Sequence, residues 1–470
     1  MPGLPSTLLD SLQQAPGFNR EAFAGVHEEA NKLTSLRLHP QRLSPAQQQE
    51  VLAALAPITA ERVPWNSTGY YLSERPSFTF DPLFHAGAYY VQEASSMFLE
   101  HAVRSVCNLQ QSLRVLDLCA APGGKSTLLQ SLISAESILV ANETIRARAA
   151  LLADNMTKWG AANVVVSNND PRDFARLEGF FDLMVVDAPC SGSGLFRRDP
   201  HLVTEWSPEN VELCCQRQQR ILAEAIPALK ENGLLIYSTC SYSPQEDEEI
   251  MQWLLDNFEV EGVPLPIDPA WNIVTTKVGE AEGYRFYPDQ LKGEGFFITC
   301  FRQKSNNEFV RKQKESLPRL AKKDTDRLAS WVEAAENYVY TDHQGTVLQL
   351  TPMLAEDLPV LQKALYIRKA GVALGQLTPK ELIPDHQLAL SIAVNKSLPG
   401  VELDYDQAIK YLRKEDVKLD DAGKGWTLMR YKGMNLGWAK VLPNRMNNYY
   451  PKELRILKAP GSQAASTEEE

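Results

Sequence analysis

Two rhythms of apolar residues divide the chain. From about 96 to 303, short apolar runs alternate with helical stretches, the pattern of parallel strands joined by crossover helices. The runs predict strands at Arg114 to Leu118, Ile138 to Ala141, Asn163 to Val166, Leu183 to Asp187 and Leu234 to Tyr237. Two later runs, Tyr284 to Tyr287 and Gly295 to Phe301, flank a turn-rich DQLKGE and predict an antiparallel pair at the sheet edge. Glu231-Asn232-Gly233 reads as the end of the helix before the last parallel strand, and Ser243-Pro244-Gln245-Glu246 as a capping box with proline at the first helical position.

The flanks follow other patterns. Residues 1–95 give a helical pattern at Leu8, Leu9 and Leu12, a second around Phe23 to Leu33, and a strand at Thr34 to Leu38 closed by His39-Pro40. This predicts a small α+β domain that packs Tyr70, Tyr71, Tyr89 and Tyr90, followed by a helix from Met97 to Val106. Residues 304–384 begin as a charged connector and become a mixed segment. A shorter α/β unit is expected over 385–458, and 459–470 as a solvated tail.

Composition adds limits. The 470 residues, 44% hydrophobic and 23% charged, suit a soluble globular protein of three or four domains. No run of about 20 apolar residues spans a bilayer, and the first residues lack a secretory pattern, so a cytoplasmic location is expected. Seven cysteines form no CxxC pair, which argues against a disulfide framework and a structural metal site. The net charge of −11 speaks against a nucleic-acid partner until its distribution is examined. Lys424 to Lys458 holds eight basic residues against Glu453, 8 − 1 = +7, and Arg302 to Ser330 holds nine against four, 9 − 4 = +5. The last third therefore offers local basic surfaces.

The first strand opens through Asp117-Leu-Cys-Ala-Ala-Pro-Gly-Gly-Lys-Ser126 into a helix. Gly123 and Gly124 allow close approach of a ligand, and the helix N-terminus favours a carboxylate. A phosphate-binding ATPase loop would need glycine where Cys119 stands, and the dinucleotide GxGxxG is absent too. About 19 residues past Gly124, the second strand ends at Glu143, suited to a ribose diol; the third ends near Asp170, suited to an adenine amino group. Together with the glycine loop they point to an adenosyl ligand.

Two cysteines follow strands in the same way, Cys190 after Asp187-Ala-Pro and Cys240 after Ser238-Thr239. Both fall on the carboxyl edge of the sheet, beside the adenosyl site, whereas Cys107, Cys214, Cys215 and Cys300 read as small buried hydrophobes. A pyrimidine carbon 5 is too weak a nucleophile to take a methyl group from a sulfonium unaided. A thiolate added to carbon 6 makes it an enamine, and proton loss from carbon 5 then expels the thiol. Asp187 is the candidate to hold a proton at ring nitrogen 3. DAPC lacks the aromatic of an N-methylating box. The residues alone do not choose the attacker between Cys190 and Cys240.

DLCAAPGGKST, ANE, DAPCSGSG and YSTCS, in this order, resemble the Nop/Sun family of RNA cytosine-5 methyltransferases. TSLRLHP and GAYYVQEASSM resemble that family's N-terminal domain, and LGWAKVLPNRMNNYYPKELR the PUA-like end of its bacterial RsmF type, which modifies small-subunit ribosomal RNA. The resemblance implies an α/β, Rossmann-like class I methyltransferase domain between an N-terminal α+β domain and a C-terminal PUA-like RNA-binding domain. It implies S-adenosyl-L-methionine as cofactor, Cys240 as nucleophile and Cys190 as the thiol that assists release. Cys119, Ala120, Ala121, Pro122, Gly123, Gly124, Lys125, Glu143, Asp170 and Asp187 would hold the cofactor, and Arg148 matches a family arginine. One departure is Pro-Gln-Glu-Asp-Glu after Cys240, in which Glu246 is expected to keep a capping role.

The implied partner is RNA, in small-subunit ribosomal RNA or the assembling subunit, with no membrane or metal partner. The target base must be single-stranded or flipped out. Arg197, Arg198, Lys432, Lys440, Arg445 and Lys452 are the candidate phosphate contacts, with Trp426, Tyr431, Trp438, Tyr449 and Tyr450 as a stacking platform. A transfer-RNA enzyme of the same chemistry and a non-catalytic ribosome-assembly factor stand as alternatives.

Overall fold

Five apolar runs become the parallel core of one sheet: Arg114–Asp117 (β1), Ile138–Asn142 (β2), Val164–Ser167 (β3), Phe181–Asp187 (β4) and Leu229–Thr239 (β5). They read as continuous runs because helices cover both faces of the sheet. In this computed structural model the described residues are 3–29, 32–310, 316–419, 423–443 and 445–458, so the expected tail at 459–470 lies outside them. Val274–Val278 (β6), Ala281–Phe286 (β7) and Phe296–Gln303 (β8) extend the sheet antiparallel beyond β5, and Ile367–Ala370 (β9) pairs antiparallel with β3. The order is β6-β7-β8-β5-β4-β1-β2-β3-β9, with Val260–Gly262 pairing against β8. Strand order reverses at β1, and a ligand crevice opens at the carboxyl ends beside such a reversal.

Gly124–Leu132 (α1) and Arg146–Trp159 (α2) bury Leu128, Leu129, Leu152 and Met156 on one face. Pro208–Ala225 (α3), Glu248–Asn257 (α4) and Pro352–Ala364 (α5) bury Ile221, Leu222, Ile250, Leu254, Leu358 and Leu361 on the other. Segment 304–384 thus gives the sheet one strand and one covering helix. It also forms a second, four-stranded antiparallel sheet from Val339–His343, Thr346–Leu350, Val372–Leu377 and Leu382–Pro384.

Two local expectations are corrected. The helix before β5 ends at Ala225, short of Pro227, and not at Asn232-Gly233. Phe181 faces Leu229 while Leu183 faces Leu234, so residues 230–233 bulge out of β5, with Asn232 at a φ of 61°. Ser243 makes no side-chain cap; its backbone N–H donates to Ser241 Oγ, and the Glu246 carboxylate turns to the cysteine loops instead.

The N-terminal domain is a four-stranded antiparallel sheet of Ala60–Arg62, Gly69–Leu72, Thr34–Leu38 and Tyr89–Val91. Tyr70, Tyr71 and Tyr89 are buried in it or at its borders, as expected, and Tyr90 is half-buried. At the other end, Gly400–Glu402 runs parallel to Gly425–Tyr431, followed antiparallel by Met434–Leu442 and Arg445–Asn448. Leu36, Tyr70 and Leu83 share one apolar cluster with Ile409, Met429 and Leu436, so the two ends of the chain pack together.

Candidate active site

The loop between β1 and α1 is held from several sides. Ala120 N donates to Asn142 O at 2.8 Å, Arg148 Nη2 to Ala121 O at 2.9 Å, and Asn155 Nδ2 to Pro122 O at 2.8 Å. Gly123, at a φ of 118°, turns the chain into α1, where a side chain would be strained. Arg148 is also 3.4 Å from Glu143, so it braces the loop against the end of β2. Beneath the loop, buried Asp117 accepts from Ser126 Oγ at 2.6 Å through Oδ2, while Oδ1 has no partner among the described residues. Burial raises its pKa to about 7. Glu143 Oε1 accepts from Ile145 N at 2.8 Å; Asp170 accepts from Arg172 N at 3.2 Å and lies 3.5 Å from Arg220.

These residues fit S-adenosylmethionine. A glycine turn opens a helix whose first backbone N–H groups lack intrahelical partners, carboxylates end the next two strands, and a buried carboxylate oxygen stands unpartnered beneath the loop.

The thiols meet on adjacent strands. Cys190 Sγ and Cys240 Sγ are 3.0 Å apart, beyond the ends of β4 and β5. Cys190 is held well above the ordinary thiol range, first by its hydrogen bond to Cys240 and then by burial. Asp187 ends β4, paired with Lys125 Nζ at 2.7 Å and accepting from Ser238 Oγ at 2.8 Å. Burial opposes the Lys125 charge, but Asp187 outweighs it and the ammonium is stabilised. Gly194 wedges beneath the thiols: a Cβ there would lie 2.5 Å from Gly295 O and 2.8 Å from Cys240 O. Cys214, Cys215 and Cys300 are buried as expected, while Cys107 is only half-buried. Cys119 is half-buried in the loop, its thiol pushed up by burial.

Two contributors, Ser238 and Arg37, carry no assigned role in the sequence reading, and a third, Glu246, is given a different one. Ser238 holds Asp187 from below. Glu246 accepts hydrogen bonds from the residues that follow both thiols. Arg37, a lone charge inside the apolar strand Thr34–Leu38, is wholly buried and donates to Thr127 Oγ1 at 2.6 Å and Gln92 Oε1 at 3.0 Å, bracing the first turn of α1. That isolated charge was the available signal, since a buried arginine needs partners.

Among the candidate RNA contacts, Arg197 is corrected. It is buried, donating to Gly293 O at 3.1 Å and lying 3.9 Å from Glu294, because the loop folds back against the β7–β8 turn. Arg198, Lys432, Arg445 and Lys452 are exposed. Lys440 is taken up by Glu381 at 2.6 Å and the ring of Trp426. The aromatic platform is also corrected: Trp426, Trp438 and Tyr450 are buried and Tyr431 half-buried, leaving Tyr449 at 42% exposure.

Comparison with known proteins agrees along the chain. Residues 105–302 match the 16S rRNA methyltransferase RsmB/F family model, 4–94 the N-terminal domain of 16S rRNA methyltransferase RsmF, and 399–456 the methyltransferase RsmF PUA domain. Ribosomal RNA small subunit methyltransferase F of Aeromonas hydrophila is 31% identical over 410 residues, covering 83% of this chain and 85% of that protein. Its counterpart in Aliivibrio fischeri is 30% identical over 409 residues, covering 84% and 85%. A methyltransferase homolog protein from Pyrococcus horikoshii is 28% identical with a TM-score of 0.51, covering 64% of this chain and 100% of that one. The structure of NSun6 from the same organism with SFG shares the fold at 18% identity and a TM-score of 0.54, covering 65% and 99%.

Proposed function

This chain belongs to the ribosomal RNA small subunit methyltransferase F family, and from that premise we propose that it methylates carbon 5 of a cytosine in small-subunit ribosomal RNA through a covalent adduct on Cys240. The observation that carries the chemistry is the pair of thiols 3.0 Å apart at the ends of adjacent strands, with Asp187 at the end of one of them.

On this reading Cys240 Sγ, as thiolate, adds to carbon 6, and the carbon 5–carbon 6 π pair shifts to carbon 5. Bound in the loop, S-adenosylmethionine would supply carbon 5 with an electrophilic methyl group, the sulfonium sulfur keeping the pair of the broken bond. Asp187, oriented by Lys125 and Ser238, shares with ring nitrogen 3 a proton taken from solvent, which steadies the charge that builds there in the adduct and is given back when the adduct collapses. Cys190 keeps its own proton while it bonds to Cys240. Once Cys240 is bonded to carbon 6, the hydrogen bond that most strongly holds the Cys190 proton is gone, and Cys190 acts as the base in its thiolate form, its own proton having passed to solvent. It then takes the proton from carbon 5. The carbon–hydrogen pair re-forms the double bond, and the carbon 6–sulfur pair returns to Cys240.

Cys119 to Lys125 and Glu143 hold the methionine and ribose ends of the cofactor, and Asp170 the adenine. Arg148 acts through the loop it braces. Arg198, Lys432, Arg445 and Lys452 take phosphates. Incubation with 5-fluorocytosine RNA should give a denaturant-resistant protein–RNA adduct that Cys240→Ala abolishes, whereas Cys190→Ala should accumulate an adduct with ordinary RNA. Methylation of carbon 5 by the Cys240→Ala protein would refute the proposal.

A further inference from the structure

Each thiol is followed by a serine, Ser191 after Cys190 and Ser241 after Cys240, and both serines end on the same buried carboxylate. Glu246 Oε1 accepts from Ser191 N at 2.8 Å and from Gln218 Nε2 at 3.1 Å. Its Oε2 accepts from Ser191 Oγ at 2.5 Å and Ser241 Oγ at 2.6 Å. Gln218, on α3, also donates to Pro189 O at 3.0 Å, fixing the residue before Cys190. The backbone closes the ring, with Tyr237 Oη of β5 donating to Glu246 O at 2.7 Å. Four donors on two oxygens is the arrangement of a carboxylate, whose charge-assisted bonds are short and directional.

We propose that Glu246 is the positioning residue that sets the spacing of the two thiols, holding the attacking loop and the releasing loop to one anchor. The inference rests on the reading of Cys240 as nucleophile and Cys190 as releasing thiol. Attack needs Cys240 aimed at carbon 6 while release needs Cys190 aimed at the neighbouring carbon 5, so the two sulfurs must be set relative to each other as well as to the base. Two loops from different strands have no covalent reason to keep that relation. A shared buried anion one residue beyond each thiol supplies it, and a displacement of about 1 Å at a reacting atom can cost on the order of 10²-fold in rate.

The bonds divide unequally, which makes the proposal specific. Ser191 gives Glu246 two bonds and Ser241 one. Ser191→Ala removes a hydroxyl from the releasing loop and Ser241→Ala one from the attacking loop, so the two variants should fail at different steps.

The test measures steady-state kcat and KM for S-adenosylmethionine, together with adduct formation on 5-fluorocytosine RNA and on ordinary RNA. Glu246→Ala should lower kcat by about 10²-fold while KM for the cofactor stays within about threefold, because the cofactor loop hangs from β1 and α1. Glu246→Gln should restore most of the rate: its amide oxygen can serve Ser191 N and Gln218, and its NH2 can donate to the two serine hydroxyls. Ser191→Ala should accumulate adduct on ordinary RNA, and Ser241→Ala should slow adduct formation on 5-fluorocytosine RNA. An inactive Cys240→Ala enzyme beside a Glu246→Ala enzyme within twofold of wild-type kcat would overturn this inference and leave the Cys240 mechanism standing. An active Cys240→Ala enzyme would overturn that mechanism itself. If Glu246→Ala does not fold, the serine variants decide: the same step affected in both, or neither affected, refutes a shared anchor.

Discussion

Arg197 and Arg198 are neighbours in sequence with different environments: one is buried against Gly293 and Glu294, the other exposed. Sequence could not separate them, because both are charged and both follow the Cys190 loop; only the turn that brings Gly293 to the loop decides which points inward. Arg198→Ala should weaken RNA binding uniformly across sequences and reduce the slope of log affinity against log salt by about one, measured by filter binding across salt concentrations. Arg197→Ala should instead leave the salt slope unchanged and cost about 1–3 kcal/mol in denaturant unfolding, because Gly293 O loses its buried donor. The thiol-bearing loops were more legible, since an apolar run followed by a small polar loop has few other interpretations in a parallel sheet. Glu246 was misread for an equally physical reason. Serine-proline-x-glutamate is a sound capping pattern, and only the nearby serines of two other loops draw the carboxylate away.

At the scale of elements, β1 to β5 could be placed within a few residues because burial on both faces leaves an uninterrupted apolar run. β9 could not. Its sequence, Ile-Arg-Lys-Ala, carries no such run, and it is a strand because β3 has an open edge to pair. In the C-terminal hairpin, Trp426 faces Lys440 and Leu428 faces Trp438 in register. Alternating aromatic and basic residues suit both a nucleic-acid platform and a strand with one buried face, and periodicity does not say which face is covered. The helix Arg20–Glu28 packs His27 beside Phe23 and Tyr242, near the Cys240 loop. Burial lowers the His27 pKa from 6.5 to about 4. The folded state therefore binds fewer protons than the unfolded state between those values, so stability is full above pH 6.5 and falls as the pH drops toward 4. His27→Phe should remove that part of the acid sensitivity, seen as a smaller loss of Tm between pH 7 and pH 5.

Across the whole molecule, the terminal domains form one apolar cluster beside the methyltransferase domain. Arg42 of the N-terminal domain donates to Lys158 O at the end of α2 and to Leu390 O at the end of the helix His386–Leu390. Removing residues 399–458 should strip the cover from Leu36, Tyr70 and Leu83. The shortened protein is expected to melt several degrees lower and to bind an apolar-surface dye, rather than behave as an intact enzyme with weaker RNA affinity. Lys125 has a further consequence at this scale. It belongs to the loop that fits the cofactor, yet its ammonium rests on Asp187 at the thiol end of the crevice. Any movement of that lysine when one ligand enters alters the field met by the other. Linkage then requires reciprocity: whatever factor S-adenosylmethionine adds to or takes from RNA affinity, RNA returns to S-adenosylmethionine, so the two occupancies are one equilibrium viewed from two ends.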